Sequence, residues 1–326
     1  MMRIAVPDLV SNSYFPAIAA VVLGQFKEQG LDVSLEHISP LDACVRALRD
    51  GAVDFIGASA HAPLLAFPEW RGVKLLCAQA QGMYWFLVMR KELGIGRGDL
   101  AALKGRRIAA VPFVGMALRR LLIAADLDPD RNDIDIVVPE AARQPGVNFG
   151  IAASQALENG AIDGFFANGV GAELAVRRGI GSIVVDVRRG DGPKECFAYT
   201  MPAIATTDRL IERAPEAAAG AIRAIVKTQA MLRQDMIHAT TVGRTLFQPL
   251  EAQLIGPVVQ RDLPFYDPAI TEQFVASMNR YCRDVGLLSG ATPYQSVVAA
   301  EFRELWNRPE PTGTASAGEG RSVPMG

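Results

Sequence analysis

Excess charge of either sign is missing from this 326-residue chain, in which 33 Lys+Arg face 35 Asp+Glu for a formal net charge of −2. No basic field is available to hold a phosphate backbone or an anionic membrane, so nucleic acid is not an expected partner. Long apolar runs are missing too. The longest stretches without a formal charge, Leu9–Phe26 and Val285–Ala300, are broken by Ser, Asn, Pro or Gln. Both fall short of the roughly 20 predominantly apolar residues that span a bilayer. Cysteine is scarce: Cys44, Cys77, Cys196 and Cys282 stand apart with no CxxC, and only three histidines accompany them. Neither a zinc site nor a disulfide framework is written in that pattern, and no metal or cofactor is expected. No GxxxxGK[ST] or GxGxxG opens a helix, and GxSxG and HExxH are absent, which removes the usual phosphate cradles and hydrolase signatures.

What is there is ordinary globular material, 50% hydrophobic, with length for two domains. The opening segment, through about Trp85, alternates β-branched runs with helical patterns, the rhythm of βαβ units and a largely parallel sheet. Arg3–Pro7 reads as a strand and Asp8–Ser13 as a polar loop. A helix over Ala17–Gln29 stops at Gly30, and a strand follows over Asp32–Ile38. Ser39-Pro40 then reads as the N-cap and first-turn proline of a helix running to about Gly51, before a buried strand Val53–Gly57. The order then recurs. Arg3-Ile-Ala-Val-Pro7 is echoed by Arg107-Ile-Ala-Ala-Val-Pro112, followed by a loop and a helix over Met116–Ala125. Ala47-Leu-Arg-Asp-Gly-Ala-Val-Asp54 is echoed at a similar offset by Ala156-Leu-Glu-Asn-Gly-Ala-Ile-Asp163. Two copies of one unit imply two similar lobes.

The expected fold is therefore α/β with two lobes, each a mixed, mainly parallel sheet flanked by helices. Residues 1–85 with 205–308 form the first lobe and 90–198 the second. Strand patterns at Met83–Arg90 and Glu195–Thr206 are the two hinge crossings. The segment from Asp208 to Trp306 reads as helical, with Ile222, Ile225, Val226 and Leu232 on one face, and is expected to pack back on the first lobe. The stretch 309–326, rich in Pro, Gly, Ser and Thr, is expected to be a disordered tail.

Several motifs carry a resemblance. Tyr14-Phe15-Pro16-Ala17, Gly24–Val33 and Ala47–Asp54 look like the opening of the nitrate/sulfonate/taurine-type solute-binding proteins of ABC importers, a family that includes the thiamine pyrimidine-precursor proteins. Leu103-Lys-Gly-Arg-Arg-Ile108, Leu127-Asp-Pro129, Ala156–Asp163 and Gly286-Leu-Leu288 with Trp306 extend it over about residues 3–306. The resemblance implies a type II periplasmic-binding-protein-like clamp closing on a small ligand held by strand-end loops, an ABC permease as possible partner, and a periplasmic or cell-surface location. Two features depart from it. Met1-Met2-Arg3-Ile4-Ala5-Val6 enters a strand without an apolar leader, so the chain as written is cytoplasmic or had its leader trimmed. The segment Pro112-Phe-Val-Gly-Met116 is apolar where sulfonate and nitrate binders often place small hydroxyl or glycine residues, which favours a bulkier, partly apolar ligand.

Candidate ligand-binding residues follow from position. Ser11, Asn12, Ser13 and Tyr14 form the polar loop after the first strand, suited to a head group or simply to a turn. Ser39 follows the second strand. His61, in a strand-end loop before Pro63, reads either as a donor to a carboxylate or sulfonate or as a satisfied structural imidazole; His37 and His238 carry no such context. Ser59 and Asn168 lie at matching strand ends of the two copies. Val114 and Gly115 lie in the second-lobe loop, and Arg143 in a loop expected to approach the cleft. The pairs Arg119-Arg120, Arg177-Arg178 and Arg188-Arg189 read as solvated background. Tyr84, Phe166 and Tyr199 could stack on a flat ligand. The expected function is a monomeric solute-binding protein for a small organic anion or heteroaromatic compound, of the sulfonate, aromatic carboxylate or pyrimidine-precursor class. The alternatives are a cytosolic enzyme on the same scaffold, of pyrimidine-precursor synthase or aromatic-acid decarboxylase type, and a ligand sensor.

Overall fold

The structure, a computed structural model, describes residues 1–9, 12–143 and 147–307, with the side chains of Asn12, Leu250 and Glu251 excepted. The tail expected at 309–326, Ser11, and the side chain of Asn12 thus lie outside the described residues.

Among the described residues ten strands form two five-stranded sheets of one plan. The first holds β1 (Met2–Val6), β2 (Val33–His37), β3 (Phe55–Ser59), β4 (Val73–Ala78) and β10 (Pro202–Thr207) in the order β2-β1-β3-β10-β4. The second holds β5 (Phe86–Arg90), β6 (Arg107–Ala109), β7 (Asp135–Val137), β8 (Gly164–Ala167) and β9 (Gly181–Asp186) in the order β7-β6-β8-β5-β9. β1 runs parallel to β2 and β3, as β6 does to β7 and β8. The fourth strand of each sheet is antiparallel to both neighbours and arrives from the other half of the chain: β10 returns after the second sheet, and β5 enters it first. The chain therefore crosses between the sheets twice, over 79–85 and 187–201. The echoed aspartates explain the repeat physically. Asp54 Oδ2 accepts the Arg3 N–H at 2.8 Å, and Asp163 Oδ2 accepts the Arg107 N–H at 2.9 Å, each holding the start of the neighbouring parallel strand.

Helices cover the sheets. In the first half these are α1 (Phe15–Val22), α2 (Gln25–Glu28) and α3 (Leu41–Arg49); in the second, α4 (Pro112–Ala124), α5 (Phe149–Glu158) and α6 (Gly169–Arg177). The single helix expected over Ala17–Gln29 is two, because Gly24 takes φ +72° between them. Pro40, not Ser39, is the N-cap residue of α3, and Ser39 is exposed just beyond β2. The segment expected as a loop, Pro112–Met116, is the first turn of α4: Pro112 has the φ a first helical residue needs, so the helix starts there rather than at Met116. Val114 and Gly115 are accordingly helical, the Gly115 N–H bonding the Val111 carbonyl at 2.7 Å.

The remaining helices are α7 (Asp208–Arg213), α8 (Pro215–Gln234), α9 (Ile237–Leu246), α10 (Pro249–Asp262), α11 (Glu272–Asp284) and α12 (Tyr294–Val297). α8 buries Ile222, Ile225, Val226 and Leu232 and lies on α1 and α2, with Arg223 Nε donating to Gln29 Oε1 at 2.8 Å. This segment does more than pack on the first lobe. α10 lies on α6, where Val170, Leu254 and Val258 form an apolar cluster and Arg261 Nη2 donates to the Gly169 carbonyl at 3.2 Å. Asp284, closing α11, pairs with Arg120 of α4 at 3.0 Å. Among the described residues no helix is long and apolar enough to cross a membrane.

Candidate functional site

The site lies where strand ends of the two sheets face each other. His61, just beyond β3, has no exposed surface. Its ring lies face to face on Phe113 in the first turn of α4, with centroids 4.4 Å apart and planes 12° apart, and edge-on to Tyr281 of α11 at 5.3 Å. Tyr281 in turn stacks on Tyr199 of the second crossing at 4.5 Å. An aromatic column thus runs from one lobe to the other. Nδ1 of His61 is hydrogen-bonded to Thr200 Oγ1 at 2.9 Å, and the same hydroxyl lies 3.4 Å from the Met201 carbonyl. Nε2 is buried without a partner, and the tautomer decides whether it is a donor or an acceptor. Burial pushes the imidazole down to about 3, so it is neutral near pH 7.

A second group is built from hydroxyls. Tyr84, on the first crossing, places its OH 2.6 Å from Ser59 Oγ and 2.8 Å from the Tyr14 OH, all three buried. Burial raises Tyr84 to about 12 and holds Tyr14 well above the ordinary phenol value, so both stay protonated. The guanidinium of Arg188 lies 5.7 Å from the Tyr84 ring centroid. This corrects the expectation of a solvated Arg pair: the Arg188 side chain is fully buried, pairs with Asp262 at 3.2 Å and donates from Nε to the Gly82 carbonyl.

The third group joins the lobes through a carboxylate. Asp8, just past β1, receives Asn148 Nδ2 on Oδ1 at 3.1 Å and Asn168 Nδ2 on Oδ2 at 2.9 Å. Asn148 is the N-cap of α5, its own Oδ1 accepting the Ile151 N–H, and Asn168 is the N-cap residue of α6.

The sequence-level candidates sort accordingly. Tyr14, Ser59, Tyr84, His61, Tyr199 and Asn168 belong to these three groups. Ser59 and Asn168 do occupy matching strand ends, but their side chains turn to different partners, Tyr84 and Asp8. Ser13 is fully buried with no hydrogen bond to its Oγ. Arg143 is exposed and bends onto the Val138 carbonyl at 3.3 Å. Phe166 is fully buried in β8, edge-on to Trp85 at 6.0 Å. Asp8, Phe113, Asn148, Arg188, Thr200 and Tyr281 were missed. For Asn148 and Phe113 a signal existed, the N-cap pattern before α5 and the proline before Phe113. A cavity of about 200 Å³ opens beside Tyr199 and Tyr281 toward Arg120 and Arg280. A hollow of about 450 Å³ between α9 and α10 shares no residue with these groups. Among the described residues no cluster of three His, Cys, Asp or Glu is placed to hold a metal ion.

A family model described as NMT1/THI5-like matches residues 11–235, more than half of the chain. The chain belongs to the NMT1/THI5-like family. Solved structures similar to this NMT1/THI5-like chain include the periplasmic sulfonate-binding protein SsuA of a sulfonate ABC transporter from Methylobacillus flagellatus KT. The TM-score is 0.66 at 18% identity, over 92% of this chain and 92% of that one. The periplasmic nitrate-binding protein NrtA from Synechocystis PCC 6803 gives 0.68 at 13% identity, over 93% and 87%. The desulfurization enzyme DSZB gives 0.63 at 15% identity, over 93% and 98%. Among curated proteins none matches the sequence. At such identities the likeness shows the fold, and with two mixed five-stranded sheets flanked by helices it is the type II periplasmic-binding-protein fold.

Proposed function

We propose that this NMT1/THI5-like chain is a solute-binding protein whose two lobes close on a flat heteroaromatic solute, of the pyrimidine-precursor size, and deliver it to an ABC-type permease at the cell surface or in the periplasm. The binding role is supported by fold neighbours described as a periplasmic sulfonate-binding protein of an ABC transporter and a periplasmic nitrate-binding protein. One observation carries the ligand class: the buried His61 and the half-buried Phe113, from opposite lobes, lie parallel at 4.4 Å. Opening the lobes separates two parallel ring faces, between which a flat ring recovers both stacking surfaces.

The test is calorimetric titration of a panel of pyrimidines, aromatic carboxylates and alkanesulfonates, guided by native mass spectrometry of whatever co-purifies. A true ligand at a hundredfold excess over its Kd raises stability by about 2.7 kcal/mol. His61→Ala and Phe113→Ala should each weaken its binding by about 1–3 kcal/mol, the scale of an unmade buried hydrogen bond or a lost aromatic contact. A silent panel, or unchanged affinity in both variants, defeats this reading. The enzyme reading draws support from the shared fold of the desulfurization enzyme, while an imidazole pushed down to about 3 is a poor base near pH 7. A thiol nucleophile gets no support, because burial raises all four cysteines. Mass change of the bound compound on prolonged incubation separates turnover from binding.

A further inference from the structure

Asp8 stands where an anionic solute would be expected to sit. The N-termini of α5 and α6 converge: a Cβ placed on Gly171 would lie 2.8 Å from the Gly150 Cα, so the first turns of the two helices touch backbone to backbone. Both helices are long enough to carry a macrodipole, with 10 and 9 residues, and both aim their positive ends and N-cap side chains at one place. A carboxylate fills it, and that carboxylate belongs to the opposite lobe. Asn148 and Asn168 each spend a side-chain N–H on it, one per carboxylate oxygen. Asn168 makes no cap hydrogen bond to its own helix, and its Oδ1 is buried without a partner, so its amide is committed to Asp8 rather than to capping.

We propose that Asp8 is a specificity-determining residue, a built-in anion that occupies the anion-receptive end of the second lobe and thereby sets the charge of the solute. The inference rests on the binding-protein reading and deepens it. Two negative groups cannot share one pair of helix ends without large electrostatic cost, so an anionic solute must displace Asp8, whereas a neutral or cationic one need not. The solute class that matches is a neutral or cationic one without an acid group.

The experiment uses the full chain and needs no solute, so its outcome is independent of whether any heteroaromatic compound binds. Sodium sulfate and sodium methanesulfonate are titrated calorimetrically into the native protein, Asp8→Ala and Asp8→Asn, with chloride at matched ionic strength as control. The native chain should show no sulfate binding, and Asp8→Ala should bind at least about tenfold more tightly than any residual native signal. Asp8→Asn, which keeps the shape and removes the charge, should show the same gain in smaller degree and covers the case in which the alanine variant does not fold. Adding Asn148→Ala and Asn168→Ala to Asp8→Ala should abolish the gain. Sulfate binding to the native chain as tight as to the variants overturns the proposal, as does the absence of any gain in both Asp8 variants.

Discussion

At the residue scale His61 makes the sharpest statement about pH. Its imidazole titrates near 6.5 in an unfolded chain and is pushed down to about 3 by burial in the fold. Between those values the unfolded state binds the extra proton, so stability rises with pH across the window and is lost progressively as pH falls below about 6.5. At pH 5.5, one unit into the window, the loss from this group is about 1.4 kcal/mol. His61→Gln removes the titration while leaving the carboxylates untouched. The gap in melting temperature between the native chain and the variant should therefore shift against the native chain as pH drops from 7.5 to 5.5. A gap independent of pH would show that the folded imidazole titrates like an exposed one. The position of His61 was legible, because a strand-end loop before a proline is a local pattern. Its partners were not. Thr200 is far along the chain, and Phe113 and Tyr281 belong to other elements, so the stacking that buries the ring has no local trace. Arg188 was misjudged for the same reason, since an Arg-Arg pair reads alike whether or not a distant aspartate, here Asp262, meets it in the core.

At the scale of elements the repeat was the legible part, because it rests on local rules used twice. A strand start is held by an aspartate side chain in each half, Asp54 and Asp163, and the helix-to-strand turn before it ends in the same Gly-Ala-(Val/Ile)-Asp. What sequence spacing did not show is which elements touch across the repeat. The junction of α5 with α6 is such a contact, and its glycines are required by the approach of two backbones rather than by a turn. Gly171→Ala gains about 1 kcal/mol in helix propensity. Against this stands a Cβ 2.8 Å from the Gly150 Cα and 3.0 Å from its carbonyl oxygen, closer than packed atoms come and with no flexible side-chain end to yield. Overpacking of that kind costs typically about 1–3 kcal/mol. The variant should be destabilised on the order of 1 kcal/mol in a denaturant melt despite its better helix former. A stabilised Gly171→Ala would mean that α5 and α6 separate freely and that their N-termini are not held together.

At the scale of the molecule the two lobes are tied at their crossings by one buried charge. Arg188, in the crossing that leads back to the first sheet, donates from Nε to the Gly82 carbonyl of the outgoing crossing at 3.2 Å. Its Nη1 meets Asp262 at the end of α10 at 3.2 Å, with neither side chain exposed. The guanidinium also lies 5.2 Å from the Phe265 ring centroid and 5.7 Å from that of Tyr84. Burial pulls its pKa below the ordinary value, and Asp262 is the first group to counter that. One planar cation thus joins both crossings to the helical segment that rests on each lobe. Removing the cation alone takes one charged partner away from the buried Asp262 carboxylate and leaves the Gly82 carbonyl without its donor. Arg188→Met, close in apolar volume, should lower stability by on the order of 3 kcal/mol. Arg188→Lys restores the charge but neither the fork that reaches Gly82 and Asp262 together nor the flat face over Phe265, so it should recover part of that loss and no more. Full recovery by lysine would reduce Arg188 to a point charge, and an unchanged melting temperature in Arg188→Met would show that α10 and the helices around it hold the crossings together without it.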